Sequence, residues 1–567
     1  YPDVAECLIN HPLETMDKFD KAATVQARKW FPELFRDKTI RVEFRDLTTT
    51  LLVRDLRDFH LYNFISVTGV VSHRSEIQRN IKIYSIRCTA CDDVFSWEGE
   101  LSEASCPRRC NESSYTDYFD IDRAASVYED CQTITLQEDP GSVQPGYPPK
   151  SVEVRLTGHL ANRVTAVGYE CCITGVYRVD SFTALAMMNG FIEANSITVR
   201  SGWHGIDSIS PGDEEKIREL SRDPHIRERI IASLAPSIYG AELAKAAIAM
   251  ALFGGTKEDT YCGDIHVLIV GDPGLGKSQL LKYVNKFTAR STYTISGKTN
   301  VVCLTACVKR DSTTNQYLLE AGALVLAHRG ICLIDDLDKM DENDRSALHE
   351  VMEQQRVSIS EATIITQLRA ETTVIAAANP VFGQYDPELS FAENTTLGKP
   401  LISQFDLLCV MRDVSDRERD TKLAKFVLKN HRLRISSEDN RVMNNQQDQA
   451  DFERIDQTLL WKYISYAREH VEPVLDKDDK YDKITRFSAD IRASNRCGEE
   501  CCLRCVSSIT EMAKANAKME LRDTVTEADV DNSIALFLEA FISTVPMSRG
   551  PALRRKFEAY TRNARQR

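Results

Sequence analysis

The sequence has 567 residues, of which 43% are hydrophobic and 27% are charged. These proportions are ordinary for globular proteins and exclude a collagen, a coiled-coil array or a long disordered chain as the main architecture. The 71 Lys and Arg residues are outweighed by 84 Asp and Glu residues, and the net charge is −13. That charge argues against a surface covered with nucleic-acid contacts, although a local basic groove stays possible. At about 150 residues per domain, the length predicts three or four domains.

Hydropathy and cysteine usage predict a soluble protein in a reducing compartment. No run approaches the roughly 18 uncharged residues of a membrane span, and no signal-peptide pattern opens the sequence. The seventeen cysteines include Cys332 and Cys409 inside apolar runs, where a disulfide has no obvious partner. Four others have metal-ligand spacing, which also argues against a disulfide framework. Because the sequence begins with Tyr1 rather than Met, we expect a fragment or a processed form.

The apolar pattern of the first half changes from helical to β-type. Residues 1–38 have apolar residues at helical spacing and predict a small helical subdomain. From 39 to 200, short β-type runs such as TIRVEF and FISVTGVVSH are separated by turn residues. This pattern predicts a small barrel or sandwich with one insertion. Residues 201–225 are expected to be a linker entering a helix.

The second half alternates strand-like and helical segments. In residues 226–435 the runs HVLIVG, ICLIDD and TVIAAANP alternate with helical stretches, which predicts an α/β domain with a largely parallel sheet. The polar stretch 436–451 is typical of a surface loop, and residues 452–548 are expected to be helical. The tail, 549–567, has seven Arg and Lys residues and one Glu. This composition is typical of a solvated end, with a DNA-binding arm as the alternative.

The segment GDPGLGKS at 271–278 matches the P-loop pattern G-x-x-x-x-G-K-[ST] in full. A strand-like run precedes it and a helical run follows it, as a P-loop requires. The glycines let backbone N–H groups close around phosphate oxygens, and the helix N-terminus adds positive potential. Lys277 is expected to reach the β- and γ-phosphates, and Ser278 to ligate Mg²⁺. The predicted nucleotide-binding residues are Gly271, Asp272, Pro273, Gly274, Leu275, Gly276, Lys277, Ser278 and Gln279.

Two further strand-like runs end in polar residues that are expected to reach the same nucleotide. ICLIDD ends in Asp335, placed to hold Mg²⁺ through water, and Asp336, which could orient the attacking water. TVIAAANP carries Asn379, whose amide could bond that water or the γ-phosphate. Since the carboxyl ends of parallel strands meet at one edge of a sheet, we expect these side chains to converge.

Two groups of cysteines have regular spacing. The first forms two close pairs, C-x₂-C and C-x₃-C, which can close a structural tetrahedral Zn²⁺ site; four reduced, unliganded thiols are the alternative. The zinc candidates are Cys88, Cys91, Cys106 and Cys110. In the second group a spacing of four places three thiols along one helical face, which is typical of core packing, with a metal site as the alternative. This second group is Cys497, Cys501, Cys502 and Cys505.

Several longer segments resemble the minichromosome maintenance (MCM) replicative helicases of the AAA+ class. Residues 231–255 are similar to the start of the family's ATPase domain. Residues 319–360 are similar to the family's central block, with IDDLDKM where the family pattern is IDEFDKM. The stretches DPELSFAEN and FDLLCVMRD look most like the second subunit of the eukaryotic heterohexamer. The resemblance covers nearly the whole chain.

The resemblance implies a fold for each part of the chain and a role for single residues. The implied parts are a helical N-terminal subdomain (1–38), an OB-fold β-barrel (39–200) with a zinc ribbon at about 82–115, a linker (201–225), an AAA+ ATPase core (226–435), a helical lid (452–548) and a basic tail (549–567). On the family's pattern, Asp335 is the Walker B acid and Asn379 is sensor one. Arg504 falls at the sensor-two arginine, which acts on a neighbouring subunit's nucleotide. An OB barrel suits single-stranded DNA, because a groove with stacking surfaces can track a flexible backbone.

Four positions depart from the family's pattern. Asp336 replaces the catalytic Glu and is one methylene shorter. In Ser403-Gln404-Phe405, Gln404 replaces the finger arginine and cannot supply the cation that stabilises transition-state charge. Glu361 stands in the hairpin where a lysine usually touches DNA, and it would repel phosphate. Gln384 replaces a further arginine. Together these departures predict a subunit that binds ATP but depends on its neighbours for chemistry.

The resemblance implies a nuclear, ATP-binding subunit of a heterohexameric MCM ring that unwinds duplex DNA for replication, with nucleotide at subunit interfaces. The implied cofactors are ATP, Mg²⁺ and structural Zn²⁺. The implied partners are the other MCM subunits, single- and double-stranded DNA, and replication initiation and fork factors, with no membrane. The alternative is a catalytically weakened subunit that binds ATP mainly for assembly and partner contacts. A third hypothesis, an AAA+ remodeller without a DNA role, is disfavoured by the OB-like, zinc-bearing first third.

Overall fold

The computed structural model divides the chain into two compact units. One comprises Tyr1–Ser201 with Cys307–Ala321, and the other Gly202–Ala306 with Gly322–Arg567. The residues described are 7–31, 40–45, 47, 50–75, 77–88, 93–98, 119–138, 149–161, 163, 168, 170–179, 190–200, 211–256, 263–288, 290–296, 304–310, 317–361, 364–436, 454–475, 478–494 and 504–565. No helix in these ranges is long and apolar enough to cross a membrane.

The first unit contains helix α1 and a β-sheet that closes on itself. The helix spans Pro12–Trp30, with proline in its first turn, where the missing N–H is no loss. The strands are β1 (Thr50–Leu52), β2 (Phe64–Arg74), β3 (Gln78–Cys88), β4 (Val94–Glu98), β5 (Phe119–Ile121), β6 (Val127–Gln137), β7 (Ser151–Thr157), β8 (Glu170–Val179) and β9 (Gly190–Arg200). Their order is β1-β2-β8-β9-β7-β6-β3-β4, with β5 on β3 and a further pairing of β2 with β6.

The β2–β6 pairing closes a barrel of five strands, β2-β8-β9-β7-β6. Closure removes the open edges of these strands and encloses a core of alternating aliphatic residues. The fully buried core residues include Val67, Val71, Ile134, Leu136, Val154, Leu156, Ile173 and Ile192. Gly175 lies at a register shift between β8 and β9, where an added Cβ would be 2.2 Å from the carbonyl oxygen of Glu193. The barrel and its insertion, β3 to β5, agree with the predicted β-rich architecture.

The second unit is built on a five-stranded sheet in which every pair is parallel, as predicted. Its order is β11-β14-β17-β10-β18. The strands of the ATPase region are β10 (Val267–Gly271), β11 (Ser291–Ile295), β12 (Ala306–Arg310), β13 (Tyr317–Ala321), β14 (Gly330–Asp335), β15 (Arg356–Glu361), β16 (Ile364–Arg369), β17 (Thr372–Ala378) and β18 (Leu407–Met411). β15–β16 is a two-stranded pair outside the main sheet, and β12–β13, also two-stranded, belongs to the first unit apart from Ala306.

Helices surround this sheet and continue beyond it. They are α2 (Pro211–Leu220), α3 (Ile226–Ser233), α4 (Glu242–Phe253), α5 (Lys277–Phe287), α6 (Ala323–Leu326), α7 (Glu342–Gln354), α8 (Phe391–Asn394), α9 (Lys399–Ile402), α10 (Arg417–Ser436), α11 (Gln457–His470), α12 (Asp478–Ser494), α13 (Arg504–Met519), α14 (Glu527–Thr544) and α15 (Gly550–Arg565). β10, β14 and β17 are buried throughout, because helices cover both faces of a parallel sheet.

Helix α2 lies inside residues 201–225, the segment expected to be a linker entering a helix. The basic tail is more ordered than its composition indicates. It forms helix α15, in which Phe557 is 1% exposed and packs edge-on against Phe487. The tail is therefore a packed helix rather than a free solvated end, because one apolar face is covered while Arg554 and Arg555 stay exposed.

Candidate nucleotide site

The P-loop follows strand β10 and is shaped by glycine. At Gly271 an added Cβ would be 2.3 Å from the carbonyl oxygen of Met411 in β18, so only glycine fits. Gly274 and Gly276 have φ angles of +89° and +88°, a left-handed conformation that glycine adopts without strain. Gly274 has open space where a Cβ would stand. Helix α5 begins at Lys277, so its free N–H groups face this open loop, as phosphate binding requires.

Lys277 is buried and turned into the loop. Its Nζ donates to the carbonyl oxygens of Gly271 and Asp272, the latter at 2.8 Å. Burial lowers the pKa of Lys277, and the nearby carboxylates of Asp272 and Asp335 act in the opposite direction. The ammonium therefore has acceptors of its own, which a phosphate oxygen of stronger negative charge could replace.

Asp272, a predicted nucleotide-binding residue, uses its carboxylate to join three segments. One oxygen accepts from the backbone N–H of Tyr385 at 2.7 Å, and the other accepts from that of Asp413 at 2.9 Å. Both amides lie in loops that follow other strands of the sheet, β17 and β18. The side chain thus holds the P-loop against its two neighbours, a structural role that the motif did not reveal.

The acidic pair lies at the end of β14, next to Asn379 at the end of β17. Asp335 is 7% exposed, and its carboxylate accepts from the hydroxyl of Tyr293 on β11 at 2.8 Å. Its other oxygen accepts from the backbone N–H of Asp336 at 3.1 Å. Ser278 and Asp335 supply the hydroxyl and carboxylate oxygens that Mg²⁺ prefers, so the donor set fits this ion.

Asp336 has a left-handed backbone (φ 54°), and its carboxylate already has two donors. These donors are the Lys339 ammonium, at 2.6 Å, and the Asn379 side-chain amide, at 3.1 Å. The backbone N–H of Asn379 donates to Asp338 at 3.0 Å. The structure therefore brings the predicted residues of β14 and β17 into direct contact. It also adds Asp338, which stands in the IDDLDKM motif but was not singled out.

The two remaining candidates, Arg504 and Gln404, form a separate cluster. Arg504 Nη1 donates to the backbone carbonyl of Gln404 at 2.9 Å and to its side-chain oxygen, and Nη2 donates to the Met352 carbonyl at 3.4 Å. The Gln404 amide nitrogen is 3.1 Å from Nε2 of His349. Among the described contacts, none joins Arg504 to the P-loop. No sequence signal pointed to His349.

Several predictions fall on residues outside the described ranges. Cys88 ends β3 and is buried, but Cys91, Cys106 and Cys110 are not described, and neither are Cys497, Cys501 and Cys502. Cys505 is buried in the core of the second unit, as core packing predicts. Within the described residues no group of three or more His, Cys, Asp or Glu side chains could hold a metal ion. Glu361 pairs with Ile364 in the β15–β16 hairpin, and Gln384 is exposed.

Comparison with protein families accounts for both units. Three family models match in chain order: the MCM OB domain over residues 51–181, the MCM P-loop domain over 213–431 and the MCM AAA-lid domain over 458–541. The chain belongs to the MCM family. Four strands of the closed barrel, β2, β6, β7 and β8, lie within the MCM OB match, and the sheet that carries the P-loop lies within the MCM P-loop match.

Relatives of this MCM chain align along nearly its whole length. DNA replication licensing factor Mcm2 of Drosophila melanogaster is 38% identical over 97% of the chain and 63% of its own length. The Xenopus laevis mcm2 protein is 39% identical over 97% of the chain and 64% of its own length. The mcm2 protein of Schizosaccharomyces pombe is 37% identical over 99% of the chain and 70% of its own length. The predicted likeness to the second MCM subunit is confirmed, and the chain spans somewhat under two thirds of the fly and frog relatives.

Proposed function

We propose that this MCM chain is an ATP-binding subunit of a hexameric replicative DNA helicase, which loads on and unwinds duplex DNA and binds nucleotide at its subunit interfaces. One observation carries the proposal. The P-loop, the Asp335–Asp336 pair and Asn379 follow three adjacent parallel strands, β10, β14 and β17, at their carboxyl ends. Ligands of open parallel sheets bind at this edge.

The residues at this edge have separate roles in nucleotide binding and hydrolysis. The P-loop amides would bind the phosphates of ATP, and Lys277 would exchange its two carbonyl acceptors for phosphate oxygens. Ser278 and Asp335 would hold Mg²⁺, which supplies charge neutralisation between the phosphates when bound. Asp336 and Asn379, already in contact, would orient the attacking water. Arg504 and Gln404, away from the P-loop, would face the nucleotide of a neighbouring subunit.

The first unit supports a role on DNA. Closed OB barrels bind single strands through a groove and stacking surfaces, so we propose that the barrel contacts DNA. Zn²⁺ on Cys88, Cys91, Cys106 and Cys110 would serve as a structural site. The names of the relatives, replication licensing factors, support action with other MCM subunits and with replication initiation and fork factors in the nucleus.

A second candidate is a subunit that binds ATP mainly for assembly. The carboxylate of Asp336 is engaged by Lys339 and Asn379, which leaves it less free to activate water. Gln404 also lacks the positive charge that stabilises the transition state of phosphoryl transfer. In this role, ATP would strengthen the contact between subunits while turnover occurs at other sites of the ring.

Steady-state ATP hydrolysis separates the two candidates. The chain would be assayed alone and mixed with the other MCM subunits, as wild type, Lys277→Ala and Lys282→Ala. Lys282 is an exposed lysine on the same helix and is a matched control. Turnover in the mixture that Lys277→Ala abolishes and Lys282→Ala spares would support the helicase subunit. Lys277-dependent ATP binding and ring assembly without Lys277-dependent turnover would support the assembly role. A wild-type chain that does not bind ATP would refute both.

A further inference from the structure

The cluster around Gln404 forms a continuous chain of hydrogen bonds between helix α13 and helix α7. Arg504 is the first residue of α13, Gln404 lies in the turn between α9 and β18, and His349 lies on α7. The backbone oxygen and the side-chain oxygen of Gln404 both accept from the same guanidinium nitrogen, Nη1. Gln404 therefore gives Arg504 two acceptors at one position.

The orientation of the Gln404 amide follows from the chemistry of its partners. A guanidinium has only donors, so it must face the amide oxygen, and the amide nitrogen then points to Nε2 of His349, 3.1 Å away. Because the Gln404 amide nitrogen donates, Nε2 of His349 accepts, and the ring proton is on Nδ1. On that side the Glu353 carboxylate is 3.7 Å away, one turn further along α7. Each group in the chain has one orientation that satisfies its neighbours.

The turn that carries Gln404 is held on both sides. The backbone N–H of Gln404 donates to the Leu401 carbonyl at 3.1 Å, and that of Phe405 donates to the Ile402 carbonyl at 3.2 Å. The Phe405 side chain is buried. A fixed turn can fix the guanidinium bound to it, so Arg504 is held by the ATPase core although it belongs to a helix of the lid.

We infer that Gln404 is a positioning residue for Arg504, the cation that the proposed function directs at the nucleotide of the neighbouring subunit. The inference rests on the proposed function and goes further by naming the residue that orients the cation. An arginine at position 404 has no side-chain acceptor and would place a second positive charge beside the first. With glutamine at position 404, the chain lacks the finger cation of the family pattern, and the glutamine side chain holds the Arg504 guanidinium in place.

The ATP turnover of a variant that restores the family's arginine at position 404 tests this inference directly. In the full chain assembled with the other MCM subunits, Gln404→Arg should lower the ATP turnover of the ring rather than raise it. Gln404→Ala should lower turnover about tenfold, the effect of losing one hydrogen bond to a charged group. Ser346→Ala, which alters an exposed hydroxyl on the same helix as His349, should leave turnover unchanged.

A double-mutant cycle distinguishes positioning from general structural support. Arg504→Ala should lower turnover at least as much as Gln404→Ala, and the double variant should match Arg504→Ala alone, because Gln404 acts only through Arg504. A further loss in the double variant would overturn the inference, as would higher turnover in Gln404→Arg or unchanged turnover in Arg504→Ala. Lys277-dependent ATP binding, measured in each variant, should stay at the wild-type level; its absence from the wild type would refute the proposed function instead.

Discussion

Replacing Asp272 by alanine tests whether its carboxylate supports the P-loop or binds the nucleotide. The side chain is buried and accepts from the Tyr385 N–H at 2.7 Å and from the Asp413 N–H at 2.9 Å. Alanine removes both acceptors. Since a buried donor left without an acceptor costs about 1–3 kcal/mol, loss of the bond to the buried Tyr385 should cost about that much, whereas Asp413 is exposed and its amide can bond water instead.

Hydrogen–deuterium exchange measures this effect at the two amides themselves. In Asp272→Ala, we expect the protection of the amide of buried Tyr385 to fall by about 5- to 150-fold, the factor that corresponds to about 1–3 kcal/mol, and that of the amide of exposed Asp413 to fall as well. Asp272→Asn keeps one side-chain oxygen, so it should preserve the protection of one amide and lose that of the other. ATP affinity, measured by titration, should fall only to the extent that loss of these contacts disorders the P-loop.

The opposite pattern would refute this reasoning. If Asp272→Ala weakened ATP binding while the exchange of the Tyr385 and Asp413 amides stayed at the wild-type rate, the carboxylate would act on the nucleotide. Its contacts to the two loops would then contribute little.

Three further predictions concern single side chains. Tyr293→Phe removes the hydroxyl that donates to Asp335, so half-maximal ATPase activity should require about three- to tenfold more Mg²⁺, measured by titration of the assembled ring. Gly255→Ala would place a Cβ 1.7 Å from a carboxylate oxygen of the buried Glu511, and should lower the unfolding temperature by several degrees in calorimetry. Burial raises the pKa of Glu43, but hydrogen bonds from two arginines and a histidine outweigh it and lower the pKa to about 2. A carboxylate whose pKa is lowered on folding stabilises the fold at pH values above its ordinary pKa of 4.5, and this stabilisation is lost as the pH falls towards 2. Glu43→Gln should therefore lower the unfolding free energy by about 1 kcal/mol at pH 7 and by little near pH 2.

Each of these predictions has a result that would contradict it. An unchanged Mg²⁺ requirement in Tyr293→Phe would show that the hydroxyl does not position the carboxylate. Gly550→Ala is the control for Gly255→Ala, since its Cβ would stand 3.8 Å from the nearest neighbouring atom, in Ile542; equal melting of the two variants would rule out the clash. For Glu43→Gln, the control is Asp17→Asn in an exposed helical ion pair, and a difference that did not shrink on acidification would exclude the ion-pair explanation.

The parts of the site that the sequence predicted are carried by residues close together in the chain. The P-loop at 271–278 and the acidic end of β14 were identified from spacing, because a strand, a glycine turn and a helix in succession specify their own geometry. The parallel sheet then followed from the alternation of strands and helices. The MCM family and the likeness to its second subunit were predicted from the resemblance of several segments to that family, and the comparisons confirm both.

Tertiary structure decided the contacts between distant segments. Asp272 meets Tyr385 from 113 residues away, and Arg504 meets Gln404 across 100 residues. The β2–β6 pairing that closes the barrel is likewise between segments about sixty residues apart in sequence. Local spacing specifies which face of an element is apolar, but not which polar side chain of a remote loop will lie opposite. Those partners depend on how the elements pack, and a single sequence carries no periodic signal for them.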